Sequence, residues 1–257
     1  GHNQPSVVVD GEGYVHVFTS MHASLIHYFR SASPGDVTNM VDATWNFPDV
    51  EWAWTYPTVA RAPNGDIYVM MRVANRLPTG ETHRDAFVYK YTLSLRQWER
   101  LAHIAGQEFR SLYPQDIAAT SEGAHFLFEW GKYAASAVRH SGAYGIIGSD
   151  GMLRDVAGVQ ADMPVTQGQI AYKPIMPGEN GNTSSGEVMG LQCARFAFDS
   201  NGLSHIAYRY RDTDNLGGTA FAKFAVKLAT WSGTAWVEEE LAYVPPEKGD
   251  TSAAIAT

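Results

Sequence analysis

The stretch PSVVVDGEGYVHVF at residues 5–18 decides the fold, because the same pattern returns three more times along the chain. A short apolar strand runs into a Gly-containing turn, and a His or Tyr stands eleven positions after the first residue of the phrase. The other copies are PTVARAPNGDIYVM at 57–70, PQDIAATSEGAHFL at 114–127 and ARFAFDSNGLSHIA at 194–207. Hairpins that return at intervals of roughly 50–80 residues are typical of a radial β array. We therefore predict an all-β fold, a β-propeller.

The repeats divide the chain into blade-like units at approximately residues 1–50, 51–110, 111–190 and 191–250, within one propeller domain over 1–257. Propellers typically have about four to eight blades. Because the repeats are unevenly spaced and the tail at 251–257 lacks a closing strand, we expect these units to be part of a larger propeller. A closed four-bladed ring is the alternative. The chain begins with Gly1 rather than Met, and we expect a leader or an earlier domain to precede it.

Composition narrows the class of function. The chain of 257 residues contains 7 Trp, 13 Tyr and 11 Phe, which favours packed sheets and surfaces that face sugars. Its net charge of −8 argues against a nucleic-acid partner. No apolar run approaches the roughly 18 residues of a membrane span, so no membrane partner is expected. The single Cys193 excludes an internal disulfide.

The beginning of the chain resembles a known family. The phrases GHNQP at 1–5, VVDGEGYVHV at 8–17 and YFRS at 28–31 resemble the BNR-4-type propeller proteins, among them the seven-bladed ulvan lyases. Those lyases carry two His residues, then a Tyr followed by an Arg, and His2, His22, Tyr56 and Arg72 stand at matching spacings. The resemblance implies a seven-bladed propeller, of which this chain is a part, and these four residues as the catalytic set.

The chemistry of uronate β-elimination explains why such residue types are needed. The proton on C5 lies beside the carboxylate, and the carbanion formed there is tolerable only when the carboxylate charge is neutralised. The rigid guanidinium fork of Arg72 suits that task. By period-two counting, Arg72 shares a strand face with Tyr68 and Met70. The alternative for this inward-facing cation is a structural salt bridge with an acid such as Glu51.

We expect Tyr56 and His2 to share the base and acid roles, because the cation of Arg72 favours a phenolate beside it and imidazole titrates near neutrality. His22 would bind the substrate carboxylate or orient Tyr56. The alternative roles are a packed aromatic at a blade entrance for Tyr56 and surface or capping roles for the His residues. Tyr113, in a second Tyr-Pro dipeptide, is interpreted as packing.

Further residues are candidates for contacting sugar rings or sulfate groups. They are Asn3, Arg30, Arg84, Trp54 and Trp130. The alternative for the two Trp residues is that they pack in the core of a blade.

Histidines and the cysteine suggest a second possibility. His125, His140 and Cys193 are candidates for a structural zinc site, against the alternative of an inert buried thiol, although no tight Cys/His spacing supports it. Catalysis itself requires no cofactor. His16, His125 and His205 hold one repeat position, where Tyr68 stands in the second copy, and we expect them to pack or hydrogen-bond within their blades.

The sequence thus favours a secreted or periplasmic polysaccharide lyase, a monomer whose partner is an anionic, uronate-containing sulfated polysaccharide such as ulvan. Two alternatives stay open. One is a sialidase-like propeller glycoside hydrolase, which would need paired carboxylates, or a tyrosine–glutamate pair, with an arginine cluster. The other is a non-catalytic carbohydrate-binding propeller.

Overall fold

A computed structural model describes residues 4–19, 21–73, 82–133, 139–174, 191–211 and 224–244. Nineteen strands occur in this part of the chain. They are β1 (Ser6–Val9), β2 (Val15–Phe18), β3 (His22–Ser24), β4 (Tyr28–Ser31), β5 (Met40–Asp42), β6 (Trp54–Arg61), β7 (Ile67–Val73), β8 (Ala86–Thr92), β9 (Gln97–Ala105), β10 (Arg110–Ala119), β11 (Gly123–Lys132), β12 (Arg139–Gly148), β13 (Leu153–Arg154), β14 (Gln160–Ala161), β15 (Ala171–Lys173), β16 (Leu191–Phe198), β17 (Ser204–Arg211), β18 (Phe224–Trp231) and β19 (Trp236–Val244).

The strands form four antiparallel sheets that follow one another along the chain. Their strand orders are β1-β2-β4-β5, β3-β6-β7-β8-β9, β10-β11-β12-β13-β14 with β15 beside β12, and β16-β17-β18-β19. We call them blades 1 to 4. Each sequence repeat supplies the hairpin of one blade, so the prediction of an all-β propeller is confirmed. Over the described ranges the only helical element is a 3-10 turn at Thr44–Asn46, and none is long and apolar enough to cross a membrane.

In the described part of the chain, three apolar clusters join successive blades, and period-two alternation decides which residue enters which cluster. On β7, Ile67, Val69 and Met71 pack toward blade 1, whereas Tyr68 and Met70 pack toward blade 3. Because both faces of β7 are covered, the strand reads as a nearly continuous apolar run. A third cluster joins blade 3 to blade 4 in the same way.

The repeat-position histidines are tied within their own blades. His16 is hydrogen-bonded through Nδ1 to the Tyr28 hydroxyl at 2.7 Å, and its Nε2 lies 3.1 Å from Asp10 Oδ2. His125 is bonded in the same manner to the Tyr144 hydroxyl at 2.7 Å. His205, the third of these histidines, is hydrogen-bonded through Nδ1 to Thr230 Oγ1 at 3.1 Å. These contacts confirm the expectation that the histidines bond within blades.

The hairpin turns mark one end of the propeller. The turn of blade 1 lies against that of blade 2, where the Gly11 amide donates to the Gly65 carbonyl at 3.2 Å. We call this end the turn face. The opposite end carries the start of β6 and the end of β7, and therefore Tyr56 and Arg72.

One short strand crosses between blades. β3 lies within the sequence of the first repeat unit, yet it pairs with β6 of blade 2, with His22 opposite Thr55. The repeat pattern alone gives no sign of this crossing, because β3 has only three residues and no alternating pattern of its own.

Candidate functional site

Arg72 is a buried cation that has no carboxylate partner among the described residues. Its side chain projects from β7 toward blade 3 and is only 3% exposed. NH1 donates to the Leu112 carbonyl at 3.4 Å, and within the described part of the chain Nε has no hydrogen-bond partner. Among the described residues no acid lies within ion-pair distance of Arg72, and Glu51 is exposed. The alternative of a salt bridge with Glu51 is therefore not observed.

Two tyrosine rings hold this cation in place of an acid. The guanidinium carbon of Arg72 lies 4.6 Å from the ring centroid of Tyr56 and 4.7 Å from that of Tyr113. The two rings themselves are 6.0 Å apart and tilted by 46°. Cation–π contacts of this kind are worth up to about 2 kcal/mol where they are shielded from water. Tyr113, interpreted from the sequence as packing, is buried but also belongs to this arrangement.

Local backbone irregularities aim both rings. Tyr56 has a φ of +59° and lies in a bulge where the β6–β7 register shifts between Thr55 and Thr58. Tyr113 lies beside a second bulge, where the β10–β11 register shifts between Pro114 and Asp116. Bulges re-aim side chains at blade rims. The two Tyr-Pro dipeptides therefore mark equivalent positions on neighbouring blades.

Burial and a neighbouring cation both act on Arg72. Burial lowers the pKa of Arg72 below its ordinary value, and the nearby Arg84 lowers it further, while Tyr113 and Tyr56 act in the opposite direction. Arg84 is half-buried, with its guanidinium carbon 5.4 Å from the ring centroid of Tyr133. An anion entering between these arginines would relieve their mutual repulsion.

His22 lies in the same row of the sheet as Arg72. In the ladder of blade 2, Thr55 stands opposite His22 on one side and opposite Arg72 on the other. Residues directly opposite one another on adjacent strands point to the same face. His22 is exposed, whereas Thr55 is fully buried and its hydroxyl accepts a hydrogen bond from the Ala23 amide at 2.9 Å. The structure therefore brings His22, Tyr56 and Arg72 to one end of blade 2. His2 and Asn3, the other expected members, lie outside the described residues.

Two expected sugar-stacking residues are core residues instead. Trp54 is fully buried in the cluster between blades 1 and 2, where its Nε1 donates to the Asp49 carbonyl at 3.2 Å. Trp130 is buried in the cluster between blades 2 and 3. Since neither ring is presented to solvent, the expectation that they stack on sugars is corrected to the blade-core alternative.

Arg30 is corrected as well. Its guanidinium carbon lies 3.6 Å from the ring centroid of Tyr14, and its NH2 lies 3.9 Å from Asp10 Oδ2. Both partners belong to the turn of blade 1, so Arg30 lies at the turn face, away from Arg72. Of the two arginines expected to contact sulfate, only Arg84 lies near the site.

The described residues do not fit a zinc ion at the expected ligands. Nδ1 of His125 is bonded to Tyr144, and its Nε2 lies 3.2 Å from Thr120 Oγ1. Cys193 is exposed, and the side chain of His140 lies outside the described residues. Over the part of the chain that is described, no three His, Cys, Asp or Glu side chains are arranged to hold a metal ion.

Repeat spacing contains a signal that the sequence analysis missed. Arg72 follows Tyr56 by sixteen residues, and the same interval leads from Tyr113 to Glu129 and from Cys193 to Arg209. Glu129 is fully buried and Arg209 is 9% exposed. Blades 2, 3 and 4 therefore each have a buried charged residue at this repeat position. The family resemblance identified only the residue in blade 2.

The comparisons with known proteins agree with this fold. A family model described as BNR repeat-containing family member matches residues 1–243. No curated protein sequence matches the chain.

Several solved structures resemble the chain. One is a PL25 ulvan lyase bound to -[GlcA(1-4)Rha3S]-, with a TM-score of 0.62 and 17% identity over 92% of this chain and 57% of that one. The polysaccharide lyase Uly1 has a TM-score of 0.66 at 14% identity, over 93% and 60%. The α-L-arabinofuranosidase Arb93A from Fusarium graminearum, in complex with an iminosugar inhibitor, has a TM-score of 0.56 at 12% identity, over 93% and 66%. The chain therefore spans less than two thirds of the length of these propellers, and at such identities the similarity establishes the fold.

Proposed function

Because the chain belongs to the BNR repeat-containing family, whose fold it shares with carbohydrate-active propeller enzymes, we propose that it is a polysaccharide lyase. Its substrate is an anionic, uronate-containing sulfated polysaccharide such as ulvan, and the reaction is β-elimination. The observation that carries this proposal is the buried Arg72, held by two tyrosine rings and one carbonyl without a carboxylate within ion-pair distance among the described residues.

A substrate carboxylate would supply the anion that Arg72 does not find among the described residues. Burying an unpaired charge costs free energy, and a carboxylate that binds the guanidinium fork offsets that cost. Neutralising the carboxylate also stabilises the negative charge that develops at C5 in the transition state. Arg84 adds positive potential at the same end of the blade. The feature that makes Arg72 costly in the free protein is therefore the one that favours elimination.

The elimination itself needs one base and one acid. The base removes the proton from C5, the electron pair of that bond forms the C4–C5 double bond, and the C4–O bond breaks. The acid then gives a proton to the departing oxygen. Tyr56, in ring contact with Arg72, and His2 take these two roles in the proposal, and His22 binds the carboxylate or orients Tyr56. Such proton transfers typically contribute about 10²–10⁴-fold each.

One observation favours a hydrolytic alternative of the sialidase type. Tyr113 stands directly opposite Glu129 in the β10–β11 ladder, and Arg72 contacts the Tyr113 ring, so a tyrosine–glutamate pair lies near an arginine. Glu129 is fully buried and Tyr113 nearly so. Because Arg72 is also nearly buried, accessibility does not separate the two reactions, and the products of the assay below decide between them.

The remaining parts of the proposal follow from the substrate. A long anionic polysaccharide is met outside the cytoplasm, so a secreted or periplasmic protein is expected. The lyase bound to -[GlcA(1-4)Rha3S]- supports a uronate-containing sulfated ligand for this fold. Elimination requires no cofactor, and we propose that the protein acts as a monomer.

Incubation with ulvan tests the proposal directly. Elimination produces an unsaturated uronate that absorbs in the ultraviolet, whereas hydrolysis produces reducing ends without that absorbance. We expect ultraviolet absorbance to rise together with the reducing ends. Reducing ends alone would support the hydrolase, and binding without either product would support a carbohydrate-binding propeller. Either result contradicts the lyase proposal.

A further inference from the structure

A cavity of about 220 Å³ lies at the turn face, at the opposite end of the interface between blades 2 and 3 from Arg72. We call it the inter-blade cavity. Its lining residues are Ala62, Pro63, Asn64, Tyr68, Lys90, Thr120, Ser121, Gly123 and Ser149. Tyr68 precedes Arg72 by four residues on β7, which places their Cα atoms about 13 Å apart. The cavity is therefore distinct from the proposed catalytic site.

The inter-blade cavity occurs where blade 2 departs from the repeat. In the other three blades the equivalent position holds a histidine that is hydrogen-bonded within its own blade. Tyr68 stands there in blade 2 and is 5% exposed, with its ring in the apolar cluster between blades 2 and 3. Its hydroxyl has no hydrogen-bond partner among the described residues, and it is not sealed from solvent. A nearly buried phenol whose hydroxyl is unpaired among the described residues therefore lines the cavity.

The charges around the cavity favour an uncharged ligand. Lys90 Nζ lies 3.1 Å from Asp66 Oδ2, so the lysine is already neutralised. Burial alone would lower the pKa of Lys90, but the hydrogen bond to Asp66 and the charges of Tyr68, Asp66 and Glu99 together raise it above its ordinary value. Because Lys90 and Asp66 neutralise each other, the pair offers no free charge to attract an anion or a cation. The remaining polar groups are neutral amide and hydroxyl groups.

The size and chemistry of the lining fit a sugar ring. The volume is below the range of about 300–1,000 Å³ typical of sites for drug-sized ligands, which suits a single small ring. Hydroxyl groups from Ser121, Ser149 and Tyr68 can bond sugar hydroxyls, while Ala62 and Pro63 offer C–H surface to the ring face. We propose that the inter-blade cavity is a second saccharide site, which takes one uncharged, hydroxyl-rich sugar ring of a polysaccharide.

This site would hold a polysaccharide on the protein without occupying the site at Arg72. It does not depend on the proposed lyase activity, because binding at the turn face requires neither Arg72 nor Tyr56. A failure of the elimination assay would leave the binding prediction standing, and the reverse also holds.

Titration of the ¹⁵N-labelled chain with L-rhamnose and with D-glucose, followed by amide chemical shifts, tests the inference. We expect saturable shifts at Ser121, Gly123 and Ser149 with at least one of these neutral sugars. Sulfate and D-glucuronate should leave the same amides unchanged. No saturable shift with either sugar, shifts with the anions instead, or shifts confined to the surroundings of Arg72 would overturn the inference.

Two variants and a control locate the binding. Tyr68→Phe removes a hydroxyl that makes no hydrogen bond to the described residues, so the protein should stay folded while sugar affinity falls about five- to tenfold. Ser121→Trp, at an exposed turn, should fill the cavity and abolish the shifts. Tyr91→Phe, on the same blade but in the cluster facing blade 1, is the matched control and should bind as the unmodified protein does. Equal affinity in Tyr68→Phe and Tyr91→Phe would contradict the site.

Discussion

The guanidinium carbon of Arg72 lies 4.7 Å from the ring centroid of Tyr113, and the two residues belong to neighbouring blades. The ring of Tyr56 also contacts the guanidinium of Arg72. Two aromatic rings therefore hold this cation at a place where an acid would normally pair with it. Such an arrangement keeps the guanidinium in a fixed direction, and no described acid compensates its charge. It predicts that stability and activity should respond to changes at Arg72 in opposite directions.

Arg72→Met tests that opposition. Methionine has a similar length but no charge, so the cost of burying an unpaired cation is removed, and the free energy of unfolding should rise by about 1 kcal/mol. Elimination of ulvan should fall by about 10²–10³-fold, because the uronate carboxylate loses its electrostatic partner. Thermal unfolding and initial rates measure the two effects. Arg30→Met, at the turn face, is the control and should retain its activity. A destabilised Arg72→Met variant would indicate that the cation is structural.

Tyr56→Phe and Tyr113→Phe separate two kinds of tyrosine around the same cation. Tyr56→Phe keeps the ring against Arg72 but removes the hydroxyl that is proposed to transfer a proton, so turnover should nearly vanish while the fold is unchanged. Tyr113 contacts Arg72 through its ring and is proposed to position the cation only. Tyr113→Phe should therefore lose no more than about tenfold. Wild-type turnover in Tyr56→Phe, or loss of all turnover in Tyr113→Phe alone, would reverse these roles.

The fold was predictable because its information is local. Each Gly turn with a His or Tyr at the fixed position identifies one hairpin, and the apolar run of β7 is explained by burial on both faces. The face shared by Tyr68, Met70 and Arg72 follows from period-two counting and agrees with their packing toward blade 3. The pairing of β3 with blade 2 was not predictable, since it depends on a contact between repeats.

The candidate site was harder to predict from the sequence, because it too depends on contacts between repeats. Which end of a blade a side chain occupies depends on strand direction, and counting along β4 would have placed Arg30 at the turn face. Burial of Trp54 and Trp130 depends on how blades stack, which composition does not disclose. The role of Tyr113 beside Arg72 required the distance between two blades.

Arg84 offers a test of substrate attraction without a direct role in proton transfer. It is half-buried and close enough to Arg72 to lower its pKa. Arg84→Gln should raise KM for a sulfated polysaccharide while changing kcat by less than about threefold, and the difference in KM should shrink with added salt as charges are screened. Arg100→Gln, whose NH1 lies 3.2 Å from Asp49, is the matched arginine control. A lower kcat at unchanged KM would instead place Arg84 in the chemical step.

His125 predicts how stability depends on pH. Burial lowers the pKa of His125 from its ordinary value of 6.5 to about 4 in the folded protein. Between these two values the unfolded chain binds more protons than the folded one. The contribution of neutral His125 to the free energy of unfolding is therefore complete above about pH 6.5, and it is lost as the pH decreases toward 4. The loss from this group should be up to about 3 kcal/mol.

Urea unfolding at several pH values between neutral and acid measures this loss. His125→Gln should be less stable than the unmodified protein at neutral pH, because the bond to Tyr144 is weakened, but its stability should fall less steeply with decreasing pH. Burial also lowers the pKa of His16, so part of the slope should remain in the variant. His27→Gln, at an exposed position, is the control and should keep the full slope. An unchanged slope in His125→Gln would mean that His125 does not resist protonation in the folded state, and the acid sensitivity would then have to come from other groups.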